Sequence, residues 1–329
     1  AAYAKKTARP ADPQQAYQAH TNQRDMADAL VKTIAALVIS FYRQDSINQG
    51  KEDSVVEEEL QTLNQPRLEA WVALLHTTLS LYAEPPHPLL AKIYTLFYEK
   101  KHRDDPISKA AAALSNWLSL SSPRKPPVSY QDFFEHLAQY RNHEEGWAAS
   151  GAVKSPQEYQ LRVETLHAAF DFLLGELSFL TDFRLVNIQK SGPTPGSYRI
   201  LEATGRDLVP KTEDLRSAKP LEAGHTYLCQ KDATGWLPFL DLFPLVVVQD
   251  CKGCKQHSLF FLNQGRDNRQ EYASPACGHR LECGEAFFPN SDFSLSIFLS
   301  LSKWRRLAET PAQSNTAPYL TALREVLEN

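Results

Sequence analysis

Residues 157–189 read QEYQLRVETLHAAFDFLLGELSFLTDFRLVNIQ, and the residue pattern changes near the end of this stretch. Up to Leu180 the apolar residues recur three or four positions apart, which is the spacing of one helix face. From Leu185 onward, short runs rich in β-forming residues replace that spacing. Helical segments do not separate those runs, so the strands are expected to pair antiparallel. The sequence therefore predicts an α+β fold, in which a helical bundle precedes an antiparallel β-rich domain.

The helical bundle is predicted to span residues 24–183. Residues 1–23 are rich in Ala, Gln, Lys and Pro and show almost no apolar periodicity, so they are expected to form a flexible tail or linker. The acidic residues 49–59 are expected to be an exposed stretch. The predicted amphipathic helices, of which the last is expected to be the longest, cover 27–41, 68–79, 89–97, 107–118, 133–140 and 157–180.

The β-rich domain is predicted to span residues 184–305, and residues 306–329 are predicted to form a C-terminal helical tail. Stretches with Gly, Pro, Asn and Asp separate the β-forming runs, as expected for turns. The predicted strands cover 185–189, 198–203, 226–230, 245–250, 258–263 and 271–274.

Composition excludes some classes of protein. The chain has 35 Lys and Arg residues against 39 Asp and Glu residues, a net charge of −4, so it is not a uniformly basic nucleic-acid binder. Apolar runs all fall well short of the roughly 18 residues that cross a bilayer, so we expect no membrane partner and a cytoplasmic location. The chain begins with Ala1 and its one methionine is Met26, which predicts a part of a longer protein.

The five cysteines all lie in the last third of the chain, and their odd number argues against a secreted disulfide framework. Cys251-Lys-Gly-Cys254 is a CxxC whose glycine lets backbone amides approach a metal-bound sulfur. The second pair of ligands is predicted to be Cys277 and Cys283, with His279 as the alternative ligand. Four protein ligands would make a zinc knuckle holding one structural zinc ion. The other interpretation is a reduced, metal-free CxxC with small buried cysteines.

A second motif, Tyr140-Arg-Asn-His-Glu-Glu-Gly-Trp147, lies between two predicted helices. It resembles the RN…H motif of HEPN-type helical domains, a bacterial group common in defence and signalling proteins. The layout over residues 25–300 is similar as well, with a strand-rich domain that carries a CxxC and a Gly-His-Arg.

The resemblance implies metal-independent RNA cleavage by an arginine and a histidine from two chains of a dimer. The candidate catalytic residues are therefore Arg141, Asn142 and His143. However, Trp147 stands where the family histidine is expected, and an indole cannot transfer protons at neutral pH. The interpretation from the residues alone is that Arg141 and Asn142 are a helix-end pair.

The β-rich domain is also a candidate nucleic-acid binder. Phe260, Phe261 and Tyr272 occur near three arginines, and stacking platforms combine aromatic and cationic groups in this way. The alternative is that the aromatic residues belong to the core, since consecutive strand residues face opposite sides. The candidate nucleic-acid contacts are Arg266, Arg269 and Arg280.

The sequence contains no GxxxxGK[ST], GxGxxG, GxSxG or HExxH pattern. The lack of a complete catalytic set predicts a non-catalytic sensory or interaction module, with a protein partner or its own dimer as the contact. The resemblance to HEPN-type domains implies that this module belongs to a larger bacterial signalling or anti-phage protein. The alternatives are a HEPN-like ribonuclease that uses Arg141 and His143, and a zinc-ribbon protein that binds nucleic acid.

Overall fold

A computed structural model describes residues 13–50, 52–63, 67–120, 126–149, 155–192, 194, 196–204, 207–217, 219–266 and 269–283. In this part of the chain, helices come first and antiparallel strands follow, which confirms the predicted α+β fold. Across the same residues, no helix combines the length and the apolar character that a bilayer span requires.

The helices begin at recognisable signals. Pro88, Pro106 and Pro156 occupy first helical positions, where the missing N–H costs nothing. Ser155 and Glu158 form a reciprocal capping box at the start of the last helix. The helices are α1 (Pro13–Gln49), α2 (Ser54–Thr62), α3 (Leu68–Ser80), α4 (Pro88–Tyr98), α5 (Pro106–Trp117), α6 (Tyr130–Ala149) and α7 (Pro156–Glu176), and a 3₁₀ turn over Leu177–Asp182 follows α7.

Two antiparallel sheets follow the helices. Five strands pair in the order β3-β2-β1-β4-β5, and four strands pair in the order β6-β7-β8-β9. The strands are β1 (Phe183–Ser191), β2 (Ser197–Thr204), β3 (Asp207–Asp214), β4 (Thr226–Asp232), β5 (Gly235–Asp241), β6 (Val246–Asp250), β7 (His257–Arg266), β8 (Arg269–Ala273) and β9 (Arg280–Cys283).

The chain folds into two compact units, and their boundary differs from the predicted one. The first unit takes the residues up to Val38 and Arg67–Arg184, and the second takes Ile39–Pro66 and the residues from Leu185. The end of α1, from Ile39 to Gln49, and all of α2 therefore belong with the strands. Within this second unit, for example, Arg43 donates a hydrogen bond of 2.8 Å to the Phe243 carbonyl.

Two details of the helical prediction were wrong, and a third was largely confirmed. The tail prediction fails from Pro13, because α1 begins there and buries His20 and Gln23. Most described residues of 49–59 are exposed, as predicted, but Asp53 caps α2 within this stretch, and α2 buries Val56. The longest described helix is α1, with 37 residues, and not the segment at 157–180. The predictions for 1–12 and 284–329, including the helical tail, lie outside the described residues.

A buried polar network lies inside the first unit. Arg162 of α7 donates hydrogen bonds to the Tyr140 hydroxyl (2.7 Å) and to Oε1 of Glu144 (2.9 Å), both on α6. The His20 imidazole of α1 lies 2.8 Å from the same hydroxyl, and the Arg162 guanidinium stacks 4.9 Å from the Trp117 ring. This network ties α1 and α6 to α7 through groups that would be costly to bury alone.

We predict that Arg162→Met lowers the free energy of unfolding of the first unit by about 3 kcal/mol, because it removes the buried ion pair with Glu144 and the hydrogen bond to the Tyr140 hydroxyl. Adding Glu144→Gln should recover part of this loss. Urea unfolding followed by far-ultraviolet circular dichroism measures the change. Leu161→Ala on the same helix is the matched control, since Leu161 is 57% exposed and its loss should change the free energy by less than about 0.5 kcal/mol.

Candidate metal centre

Two tight turns at one end of the four-stranded sheet carry the candidate ligands. The first turn joins β6 to β7, and within it the Lys255 N–H donates to the Cys251 carbonyl at 2.8 Å. Lys255 has a φ of 59°, a left-handed conformation that ends the turn. The second turn joins β8 to β9, with a 2.8 Å hydrogen bond from the Gly278 N–H to the Ser274 carbonyl. The φ of Gly278 is 72°, which glycine adopts without strain.

These turns bring four side chains together, with ligand atoms that all lie within 4.8 Å of one another. Sγ of Cys251 lies 3.7 Å from Sγ of Cys277 and 3.2 Å from Nδ1 of His279. The hairpin of β7 and β8 fills the gap between Cys254 and Cys277. We call this group the Cys3His cluster; its members are Cys251, Cys254, Cys277 and His279.

The structure corrects one predicted ligand. Cys283 does not join the cluster, and His279, the alternative ligand, occupies that place. Cys283 is four residues beyond His279 at the end of β9, and an extended chain covers about 13 Å over that distance. It is 3% exposed, and burial raises the pKa of its thiol to about 12. Cys283 is therefore a buried core residue of the sheet.

Gly253 makes the approach of the two turns feasible. A Cβ atom at this position would lie 2.5 Å from Cε1 and 2.6 Å from Nε2 of His279. Normal contacts between carbon atoms need roughly 3.5–4.0 Å, so a side chain at residue 253 would displace the imidazole. The glycine that the sequence indicated for sulfur–amide contacts also provides room for the fourth ligand.

Hydrogen bonds influence the charge state of the cluster. The backbone N–H of Cys254 lowers the pKa of the Cys251 thiol. Burial alone would raise the pKa of Cys277, but hydrogen bonds, among them one from the His279 backbone N–H, lower it to about 6. Hydrogen bonding to Cys277 raises the pKa of His279. The Cys254 thiol has a raised pKa, because its hydrogen bond with Cys251 favours the protonated form. Three sulfurs and one imidazole nitrogen form a donor set typical of zinc.

Sequence reasoning missed the contribution of Ser274. Ser274-Pro-Ala-Cys277 repeats the turn of Cys251-Lys-Gly-Cys254, with a serine where the first cysteine of a second CxxC would stand. The imidazole two residues after Cys277 takes the place of that cysteine in the cluster. The sequence signal for His279 as the fourth member of the cluster is Gly278, because a left-handed residue between Cys277 and His279 turns the chain back sharply.

The predicted nucleic-acid platform is wrong in its aromatic part. Phe260, Phe261 and Tyr272 are all buried, and the Tyr272 hydroxyl donates to the Pro244 carbonyl at 3.0 Å. The alternative of core residues is therefore confirmed, and these rings are not free to stack on bases.

Of the three candidate arginines, Arg280 is exposed and donates to both carboxylate oxygens of Glu271, at 3.1 and 3.4 Å. Arg266 and Arg269 are paired at the β7–β8 hairpin end, and their side chains lie outside the described part of the chain. Their contact with nucleic acid stays a prediction.

The Arg141 motif lies inside α6 and not at a helix end, so the helix-end interpretation is wrong. Arg141 donates a hydrogen bond and forms an ion pair with Asp28 of α1, in the same unit. Asn142 and His143 follow on the same helix and are partly buried. The backbone of Trp147 is helical, and its side chain lies outside the described residues.

Comparisons with known proteins returned no match from protein-family models, curated proteins or solved structures.

We predict that Gly253→Ala weakens cobalt(II) binding at the Cys3His cluster by roughly 10- to 100-fold, because the added methyl group pushes the His279 imidazole out of position. Titration of the metal-free protein, followed through the thiolate-to-cobalt absorption band, measures the affinity. Gly175→Ala is the matched control, since a Cβ there meets no atom within 4 Å. Equal affinities of Gly253→Ala and the unmodified chain would contradict the steric argument.

Proposed function

We propose that the Cys3His cluster holds one structural zinc ion, and that the chain is a non-catalytic interaction module whose second unit this ion stabilises. The observation that carries the proposal is the convergence of four ligand atoms from two separate turns within 4.8 Å. The predicted partner remains a protein or a second copy of the chain.

Two separations within the cluster, both from the Cys251 sulfur, are close to those around a tetrahedral zinc ion. With zinc–sulfur bonds of about 2.3 Å, two sulfurs at a tetrahedral angle lie about 3.8 Å apart. The Cys251 and Cys277 sulfurs are 3.7 Å apart. With a zinc–nitrogen bond of about 2.0 Å, the sulfur–nitrogen separation is about 3.5 Å. The Cys251 sulfur and the His279 Nδ1 atom are 3.2 Å apart, slightly closer than this.

A complete protein ligand set favours a structural role for the ion. Catalytic zinc sites use three protein ligands and keep a fourth position for water, whereas structural sites use four. Three thiolates and one neutral imidazole around Zn²⁺ carry a net charge of −1, by the arithmetic of +2 and −3. The backbone N–H groups of Cys254 and His279 donate toward the sulfurs and spread that charge.

The ion would act as a cross-link between the two turns. Cys251 and Cys277 lie 26 positions apart in sequence. Closing a loop of that length in the unfolded chain lowers its conformational entropy, which corresponds to about 3.5 kcal/mol for a covalent link. A metal bound by the folded state alone stabilises the sheet in the same direction.

Contacts in the helical unit support the non-catalytic part of the proposal. The Arg141 charge is engaged by Asp28, and the Glu144 carboxylate is buried against Arg162. An arginine already held by a carboxylate has less capacity to bind a phosphate. The HEPN-like ribonuclease is therefore the less supported alternative.

We predict that the purified chain contains one zinc ion per molecule. Chelation should lower the free energy of unfolding of the second unit by about 4 kcal/mol, as expected when an ion bound only by the folded state is present at about 1,000 times its dissociation constant. Elemental analysis and urea unfolding before and after chelation measure both quantities. His279→Ala should abolish retention of zinc, whereas His279→Cys should keep it, since a thiolate can replace the imidazole. Cys283→Ala is the control and should retain the metal. The proposed zinc site would be contradicted if the purified chain contained no metal, or if the Cys251→Ser variant retained zinc.

We also predict that the chain leaves mixed RNA intact in the absence and presence of divalent cations. The test compares the unmodified chain with Arg141→Ala and His143→Ala by gel analysis of the RNA. RNA cleavage that both variants lose would overturn the non-catalytic proposal in favour of the ribonuclease. Cleavage that neither variant changes would be assigned to a contaminating nuclease, and purification to constant specific activity would check that assignment.

A further inference from the structure

We propose that the Cys3His cluster is also a redox-sensitive link, in which a hydroperoxide converts Cys251 and Cys277 into a disulfide and releases the bound ion. The release of the ion rests on the proposed zinc site, but formation of the disulfide does not. The proposal stands on the position and accessibility of the cysteines.

The geometry selects this pair of sulfurs. Cys251 and Cys277 come from different turns, and their sulfurs are 3.7 Å apart. A disulfide needs about 2.05 Å, so the two sulfurs must approach by about 1.7 Å, a distance that side-chain rotation within two turns can supply. The Cys254 sulfur is hydrogen-bonded to the Cys251 sulfur and lies 3.9 Å from the Ser258 hydroxyl, so a link within the CxxC is the competing product.

Accessibility gives the two sulfurs different roles. Cys277 is partly exposed and its neighbour His279 is exposed, so a small oxidant reaches the cluster from solvent on that side. Cys251 is 2% exposed, which shields it from direct attack. Cys277 is therefore the cysteine that reacts with the oxidant to form a sulfenic acid, and Cys251 is the resolving cysteine that converts this acid into a disulfide.

The chemistry balances with hydrogen peroxide as the oxidant. The Cys277 thiolate attacks one peroxide oxygen, the O–O bond breaks, and the products are a sulfenic acid and hydroxide. The Cys251 thiolate then attacks the Cys277 sulfur, the S–O bond breaks, and hydroxide leaves. Two cysteine thiolates are oxidised by two electrons, and one peroxide is reduced to two hydroxides, which take up two solvent protons to become two waters.

The exchange preserves the connection between the turns. After oxidation the cluster offers two donors, Cys254 and His279, which is too few for a structural zinc site. The new disulfide joins the β6–β7 turn to the β8–β9 turn, as the ion does. The sheet therefore loses its metal without losing its cross-link.

The experiment uses the full chain, both zinc-loaded and metal-free, treated with hydrogen peroxide. Remaining thiols are alkylated, and the chain is digested with trypsin without reduction. Trypsin separates the three cysteines, because Cys251 lies in peptide 232–252, Cys254 in 253–255 and Cys277 in 270–280. Mass spectrometry identifies the linked peptides, and a metal-binding dye follows the release of zinc.

We expect a linked species of 232–252 and 270–280 that has lost two hydrogens, in both samples, with release of zinc as it forms. Cys277→Ser should abolish this species, and Cys283→Ala, a buried cysteine outside the cluster, should leave it unchanged. After oxidation, chelator should no longer destabilise the second unit.

Three outcomes would overturn the proposal: a link between 232–252 and 253–255, oxidation of Cys277 to a sulfinic acid with no link, or zinc that stays bound after the link forms. If the untreated chain holds no zinc, the proposed function and the release step both fail. The peptide map of the metal-free chain then still decides whether the disulfide forms.

Discussion

The close approach of the Gly253 backbone to the His279 ring is the constraint on which the end of the four-stranded sheet depends. A hydrogen atom at that position, in place of a methyl group, lets two turns from different hairpins meet. The contact between these turns determines the distance between the Cys251 and Cys277 sulfurs and the orientation of the His279 imidazole. It also places a cysteine and a histidine of the second turn beside the single CxxC, on either side of a left-handed glycine.

The helical unit relies on a different kind of constraint, in which charged groups are buried only with partners. Arg162 reaches the Glu144 carboxylate and the Tyr140 hydroxyl at once, and Lys101 is buried between Glu99 and Glu176. Such pairs add little net stability compared with apolar packing, but they penalise arrangements that separate the partners. The network around Tyr140 therefore fixes which helices are neighbours more than it strengthens their association.

The sequence predicted the parts of the fold that follow from apolar periodicity. Leu166, Phe170 and Leu173 identify α7 because their spacing is helical and they are buried. The start of α1 escaped detection because His20 and Gln23, two polar residues, are buried there through hydrogen bonds. Periodicity analysis counts such residues as exposed.

The candidate metal site was predictable in its CxxC half and less so in the half that the β8–β9 turn supplies. Cys251 and Cys254 follow a common spacing, whereas the choice between Cys283 and His279 depends on a turn conformation. Strand geometry excludes Cys283 as a ligand, since this residue at the end of β9 lies too far from the β8–β9 turn. The unit boundary was not predictable at all, because it divides α1 within a continuous helical pattern.

The division of α1 means that the second unit is assembled from two separate parts of the chain. Residues 39–66 leave the ribosome well before the strands with which they belong, and Phe41, Val56 and Leu60 have apolar surface that is buried in the finished protein. During synthesis this segment must wait for the strands while the intervening helices complete their own unit. A fragment beginning at residue 185 would lack these three side chains. Completion of the second unit therefore depends on a segment that is synthesised before the first unit is complete.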